Sequence, residues 1–520
     1  MMCNSVPSLF RVPSLVNLFS RQVKFCTLPI FSRTKSKEVG HSVKFQPVRY
    51  SSEEWDFDVE KVLKDDNFQE FSERMFRLPQ HGHNVLVIQP FVRDRSNSKN
   101  INGLVKSCSN TTPKLQLEEA EALIDTLPRW KVADSFVLGV DNLAKSSFFG
   151  PGQIERLKEV LSGSKSISAL FISVNILRVR QIIELEEILN VPVFDRYTIV
   201  IQIFRHHAVT NESKLQIAMA EIPYLKQCIK GFPRGLSDRL ASGRFIGGTG
   251  SMFNDTRKEL LMQREQKLKK ALSLLRKHRE RLRNNTISAS YPLVAVMGYT
   301  NAGKTSLIKA LTGTVKLKPR NQLFATLDVT KHQGVLPCNL KVLYIDTVGF
   351  ITDIPTDLLE SFTATLEDAI YSDVIIHIWD VSNPDFQKQR DHVMSTLSSM
   401  NLGADLPKKI FVIANKVDRV SEDKLSELQK AEPDMFFVST KTGYGMEGML
   451  FNLQKHIIKI TGRIRMKIRV RTGGEEFNWI CKEFAVEEMQ PDSDSNYTLI
   501  SVIVTKPQLE TFKTRFIGKQ

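Results

Sequence analysis

One stretch constrains this chain more than any other: residues 293–306, LVAVMGYTNAGKTS. The apolar run from Leu293 to Met297 predicts a buried strand, and Thr305 to Leu311 predicts a helix. Between them Gly298, Gly303, Lys304 and Thr305 satisfy G-x-x-x-x-G-K-[ST], a phosphate-binding loop in the strand–loop–helix setting it requires. Tyr299, Thr300, Asn301 and Ala302 within the loop, and Ser306 just past it, are the further residues placed around a bound nucleotide. Glycines let backbone N–H groups curl about phosphate oxygens with no Cβ in the way, and the following helix turns its positive end toward the same oxygens. Lys304 is suited to bridge the β- and γ-phosphates, and the Thr305 hydroxyl to ligate Mg²⁺.

At 520 residues the chain is too long for one core, and roughly two to four domains are expected. The net charge of +15 favours an acidic partner such as RNA, although organelle import also selects basic ends. The cysteines, Cys3, Cys26, Cys108, Cys228, Cys338 and Cys481, are scattered with no C-x-x-C pair, so neither a disulfide framework nor a zinc site is expected. No apolar run reaches the roughly 18 residues of a membrane span.

Residues 1–50 hold eight Lys and Arg against the single acid Glu38, with leucines and phenylalanines set among Ser and Arg. That composition predicts a mitochondrial transit peptide and a mature protein in the matrix, with cleavage near Tyr50 and Ser51. The other reading of the same residues is a basic arm that contacts RNA and is never removed. Residues 51–83 form an N-terminal extension.

Residues 84–207 predict an α/β domain. HNVLVIQPFV, DSFVLGV and ALFISVN are strand candidates, LEEAEALIDTL and PGQIERLKEVL have helical spacing, and VPVFDRYTIVIQIF is expected to be a strand pair or one long strand. His206 and His207 are expected to be surface residues. Residues 208–285 predict a helical hairpin, Glu212 to Lys230 and Asn254 to Arg283, around the glycines Gly247, Gly248 and Gly250. Leu261, Leu268, Leu275 and Leu282 recur every seventh residue and give an apolar seam. From Asn254 to Asn285 there are eleven Lys and Arg against four acids. The one-signed clusters Lys267, Lys269, Lys270 and Arg276, Lys277, Arg279, Arg281, Arg283 predict contact with RNA phosphates rather than a merely solvated face.

From Tyr291 to Ile460 strands alternate with helices, the pattern of a doubly wound, mainly parallel sheet. Each strand end carries a motif in the order a GTP site needs. In LFATLDVT, Thr326 can close over Mg²⁺ and the γ-phosphate. Asp346-Thr347-Val348-Gly349 places a carboxylate for Mg²⁺ at Asp346 and a γ-phosphate-sensing N–H at Gly349. In Asn415-Lys416-x-Asp418, a carboxylate at Asp418 can accept both the N1–H and N2–H of guanine, a pair adenine does not offer. Ser439, Thr440 and Lys441 fit the loop that packs on the base. Lys304, Thr326 and Gly349 are the candidates closest to the chemistry. The position after Gly349, which in many GTPases holds a water-orienting Gln, is Phe350, so a slow intrinsic rate is expected. Residues 463–520 predict a small α+β domain with strands in RMKIRVR and NYTLISVIVT, helices in EEFNWICKEF and PQLETFKTRFI, and a docking or packing role.

With GYTNAGKTSL, LFATLD and DTVGFI in the nucleotide domain, and FGPGQIERL, VFDRYTIVIQIF and SKLQIAMAEIPYL upstream, the chain resembles the HflX family of ribosome-associated GTPases. The resemblance covers roughly residues 84–520 and includes the hydrophobic residue at 350. It implies GTP-dependent binding to the large ribosomal subunit and its rRNA, with splitting or remodelling of ribosomes; joined to the basic leader, it implies the mitochondrial ribosome. A monomer is expected. Two departures stand out: SMFNDTRKEL follows the glycine break where the family carries a Gly-Pro-Gly-Glu loop, and Val329-Thr330-Lys331-His332 replaces a Pro-Thr-Thr-Arg-like run, which leaves Thr326 the better Mg²⁺ candidate. The competing classes are a GTPase partner in tRNA modification and a regulatory GTPase acting on a mitochondrial protein.

Overall fold

The structure is a computed structural model that describes residues 72, 82–92, 112–143, 148–164, 166–231, 250–286, 291–314, 323–324, 326–327, 329–351, 371–399, 406–494 and 496–517. Every described residue lies within Glu54–Gln520. The leader, most of the 51–83 extension and the glycines Gly247 and Gly248 therefore lie outside the described residues.

The N-terminal module is a four-stranded sheet in the order β2-β1-β3-β4, parallel throughout. Its elements are β1 (Asn84–Val92), α1 (Pro113–Thr126), β2 (Lys131–Val140), α2 (Pro151–Gly163), β3 (Ala169–Ile172), α3 (Val179–Leu189), β4 (Val193–Asp195) and α4 (Arg196–His207). Val85 to Ile88 of β1 form an unbroken apolar run because both faces of the strand are covered there. Val85 and Val87 pack with Ala120, Leu123 and Tyr197, while Leu86 and Ile88 pack with Leu157, Ile182 and Leu185.

The stretch expected to be a strand pair or one long strand is three residues of strand, Val193–Asp195, followed by a helix. The cause is a cap. Asp195 accepts the N–H of Thr198 through Oδ1 at 2.9 Å, and the Thr198 hydroxyl returns a bond to Asp195 O at 2.8 Å. Asp195 Oδ2 also accepts the N–H of Leu177 at 3.0 Å. Arg196 to Phe204 are all buried, so packing on every side overrides the low helix propensity of Ile199, Val200, Ile201 and Ile203. His206 and His207 end this helix with their rings 5.4 Å apart, and among the described residues no group of His, Cys, Asp and Glu could hold a metal ion.

The hairpin consists of α5 (Asn211–Gly231) and α6 (Gly250–Thr286), each slightly longer than the sequence predicts. Leu261 and Leu268 are fully buried against the Leu215, Leu225 and Ile229 cluster, and Leu275 is partly buried there; the side chain of Leu282 lies outside the described residues. Glu265 joins the helices by accepting from Lys226 at 2.5 Å while Lys269 of its own helix also donates to it at 2.7 Å, and Glu212 pairs with Arg279 across the hairpin.

The third module is a six-stranded sheet in the order β10-β9-β8-β5-β7-β6. Its elements are β5 (Leu293–Gly298), α7 (Lys304–Thr312), β6 (Thr330–Val335), β7 (Lys341–Asp346), β8 (Val374–Asp380), α8 (Phe386–Ser399), β9 (Ile410–Asn415), α9 (Glu422–Ala431), β10 (Phe436–Phe437) and α10 (Met446–Ile460). Only β6 runs antiparallel. The tail is a three-stranded antiparallel sheet of β11 (Ile464–Arg471), β12 (Ala485–Pro491) and β13 (Tyr497–Val504) in the order β11-β13-β12, with α11 (Glu475–Glu483) and α12 (Lys506–Phe512). The middle element β12, rich in acids, carries no strand signal in the sequence. With β13 it docks the tail: Asn339 Nδ2 donates to Val486 O of β12 at 2.9 Å, and Ile503 of β13 is buried with Leu336, Cys338 and Ile457.

Replacing Asp195 with alanine removes a cap worth about 1–2 kcal/mol and strands the buried Leu177 N–H at about 1–3 kcal/mol. Urea denaturation of Asp195→Ala followed by far-UV circular dichroism should show a clearly lower midpoint. Denaturation curves that superpose on the wild type would exclude the capping account.

Candidate active site

The nucleotide motifs follow the carboxyl ends of β5, β7, β9 and β10, and the Thr326 segment leads into the antiparallel β6 at the same edge, where a doubly wound sheet leaves a crevice. Strand β5 lies between β8 and β7, so the loop after it sits at the point where the winding reverses. Two glycines are there because nothing else fits. Gly303 has φ +100°, and a Cβ on it would run into Asn415 Nδ2. A Cβ on Gly349 would lie 2.8 Å from Thr300 Cγ2 and 2.9 Å from Lys304 Nζ. That clash places the Gly349 backbone beside the phosphate loop, where its N–H can read a γ-phosphate.

Lys304 is buried and donates to the carbonyls of Tyr299 at 3.0 Å and Gly298 at 3.3 Å. Burial lowers its pKa to about 8 despite the charge of Asp346 nearby. Asn301 is exposed with φ +59°, Ala302 and Thr300 are buried, and Ser306 is half-buried on the first turn of α7. The Thr300 hydroxyl oxygen is buried without a hydrogen-bond partner.

Thr305, Thr326 and Asp346 converge. Asp346 Oδ2 accepts from Thr305 Oγ1 at 2.8 Å and from Thr326 Oγ1 at 3.2 Å, and the two hydroxyls are 3.1 Å apart. Asp346 is 1% exposed, its Oδ1 is buried and unpaired, and burial pushes its pKa up. Two hydroxyls and a carboxylate with a spare buried oxygen are the hard donors that Mg²⁺ takes, so the residues fit that ion.

At the base end Asn415 is a brace. Its Nδ2 donates to Ala302 O at 2.9 Å and its Oδ1 accepts the Thr440 N–H at 3.2 Å, tying the phosphate loop to the Ser439–Lys441 loop. Asp418 is exposed and accepts from the buried Ser439 hydroxyl at 2.6 Å, which aims its carboxylate. Lys416, at φ +65°, is held by Asp380 Oδ2 at 2.7 Å, and Lys441 is exposed. Asp380 is a residue the sequence reading missed. Its signal was its place at the end of the apolar strand VIIHIWD, aligned with Asn415 of β9. Phe350, expected to lack a catalytic group, is 3% exposed, its backbone paired with the phosphate loop and its side chain in the apolar core.

This geometry defines a P-loop protein of the guanine-nucleotide class, with the phosphate loop, the Thr305–Thr326–Asp346 group and the base end built on adjacent strand ends. Comparison with known proteins carries the assignment further. The profile described as 50S ribosome-binding GTPase matches residues 293–416, and those described as GTP-binding GTPase N-terminal and Middle Region match residues 114–205 and 207–286. GTP-binding protein 6 of Xenopus laevis is 36% identical over 89% of this chain and 84% of its own length, and its Homo sapiens counterpart is 39% identical over 78% of each. The GTPase HflX of Lacrimispora saccharolytica is 32% identical over 66% of this chain and 79% of its own length. The chain belongs to the HflX family of GTPases, and it binds and hydrolyses GTP.

Two predictions follow the two ends of the site. Asp418→Ala leaves the guanine N1–H and N2–H without an acceptor, so GTP affinity measured by calorimetry should fall by about a hundredfold or more. Because the triphosphate favours the charged form of Lys304, whose pKa without ligand is about 8, affinity should be level below that pH and fall by roughly tenfold per unit above it, with proton uptake on binding. Titrations in buffers of different ionisation heat measure that uptake.

Proposed function

We propose that this protein binds the large subunit of the mitochondrial ribosome in its GTP-bound form and splits or remodels ribosomes, and that hydrolysis releases it. The observation that carries the reading is the outer face of α6. Lys258, Lys267, Lys269, Lys270, Arg276, Lys277 and Arg281 are exposed along it, while Leu261 and Leu268 hold the opposite face in the core. Such a face suits phosphates of an RNA and is indifferent to sequence. The profile over 293–416 carries ribosome binding in its description, and the basic, acid-poor residues 1–50 support a mitochondrial matrix target.

The chemistry is mostly positioning. Lys304 turns from its two carbonyl partners to the β- and γ-phosphates, and Gly349 presents its N–H to the γ-phosphate. Thr305, Thr326 and Asp346 would hold Mg²⁺, whose charge would offset that of the triphosphate. Phe350 has no group to orient water, so turnover is slow until another group or a partner surface supplies one.

Sedimentation of mitochondrial ribosomes with the full chain and a non-hydrolysable GTP analogue tests this. The protein should travel with the large subunit and intact ribosomes should be lost, whereas Lys304→Ala should remain at the top of the gradient. Association that is as strong without nucleotide, or absent with it, would sink the proposal.

A further inference from the structure

The N-terminal module touches the nucleotide machinery at the phosphate loop itself. Tyr299, the residue after the first loop glycine, is 7% exposed and donates its hydroxyl to Glu119 Oε2 on α1 at 2.8 Å. Glu119 Oε1 is paired with Arg196, the first residue of α4, whose side chain is 7% exposed. The tyrosine is thus held by a carboxylate that is itself fixed by a buried guanidinium. Such charge-assisted bonds are stronger and better aimed than those between neutral groups.

Tyr299 is also a junction inside the active site. Its carbonyl accepts from Lys304 Nζ at 3.0 Å, and its backbone forms a bridge with Phe350. The bonds on either side of that bridge run from Phe350 N to Gly298 O at 3.1 Å and from Thr300 N to Phe350 O at 2.6 Å. Whatever sets the position of Tyr299 therefore sets the phosphate-contacting lysine and the turn that carries Gly349. A second contact from α4 reaches the loop that carries Thr326. Phe204 meets Phe324 edge to face at 4.8 Å, and Phe324 is 2% exposed at φ +53°. A bulky side chain in that left-handed region stays there only when its surroundings hold it.

We propose that Glu119, braced by Arg196, is a positioning residue for GTP turnover that acts through Tyr299. The N-terminal module in this way becomes part of the hydrolytic apparatus and senses the nucleotide through the same bond. The inference rests on GTP hydrolysis and is independent of which RNA assembly the protein binds. Misplacement of reacting groups by a fraction of an ångström costs catalysis more than it costs binding, because the transition state is the more demanding of geometry.

The test uses the full chain. Tyr299→Phe keeps the ring and removes the bond; Glu119→Ala removes the acceptor. Each should lower kcat for GTP by about fivefold or more while KM stays within about twofold, and the double variant should lose no more than the worse single one. Hydrogen exchange over residues 113–126 should change when a non-hydrolysable GTP analogue binds the wild type, and should not change in Tyr299→Phe at saturating analogue. Rates within twofold of wild type in Tyr299→Phe, multiplicative losses in the double variant, or an exchange response that survives in Tyr299→Phe would each overturn the proposal. A drop in kcat matched by a lower thermal midpoint, with the exchange response intact, would likewise assign these residues to stability alone.

Discussion

Two backbone hydrogen bonds hold the triphosphate end of this protein together: Phe350 donates to Gly298 and accepts from Thr300. They splice the turn after β7 onto the loop after β5, which neighbours it in the sheet. Because of that splice, Gly349 lies against Thr300 and Lys304 with no room for a Cβ, and Asp346 arrives beside Thr305. Backbone bonds of this kind cost no side-chain entropy to form, so the crevice is shaped before any ligand arrives.

The base end is joined to the phosphate end by one side chain. The Asn415 amide bonds to Ala302 with its nitrogen and to Thr440 with its oxygen, using one donor and one acceptor on separate loops. Asp380 and Ser439 hold Lys416 and Asp418 in the same way. Lys416 and Asp418 are therefore aimed by second partners, and the Asn-Lys-x-Asp motif is a small network rather than three independent side chains.

The modules share one apolar core across their boundaries. Phe204 and Leu215 from the N-terminal half cluster with Tyr299, Phe324 and Phe350 from the nucleotide half. A hydrophobic residue at 350 is thereby explained by packing as well as by chemistry, since a glutamine there would bring an amide into that core. The same burial makes α4 a helix in spite of its β-branched residues, and the reading of that stretch as strand failed because periodicity cannot tell a short strand from a helix buried on all sides.

The residues alone settled what a local pattern can settle. Gly298 to Thr305 and the motifs at Asp346, Asn415 and Ser439 are legible because phosphate, metal and base each demand particular groups at short spacing, and strand ends bracket them. The α/β alternation and the heptad seam of α6 are legible for the same reason, one period being enough to identify each. What lay beyond reach was the contact between modules. Glu119 and Tyr299 are 180 residues apart, and their bond leaves no trace in the order of residues. That pairing exists only once the modules have packed, because side chains from distant segments meet there and nowhere earlier.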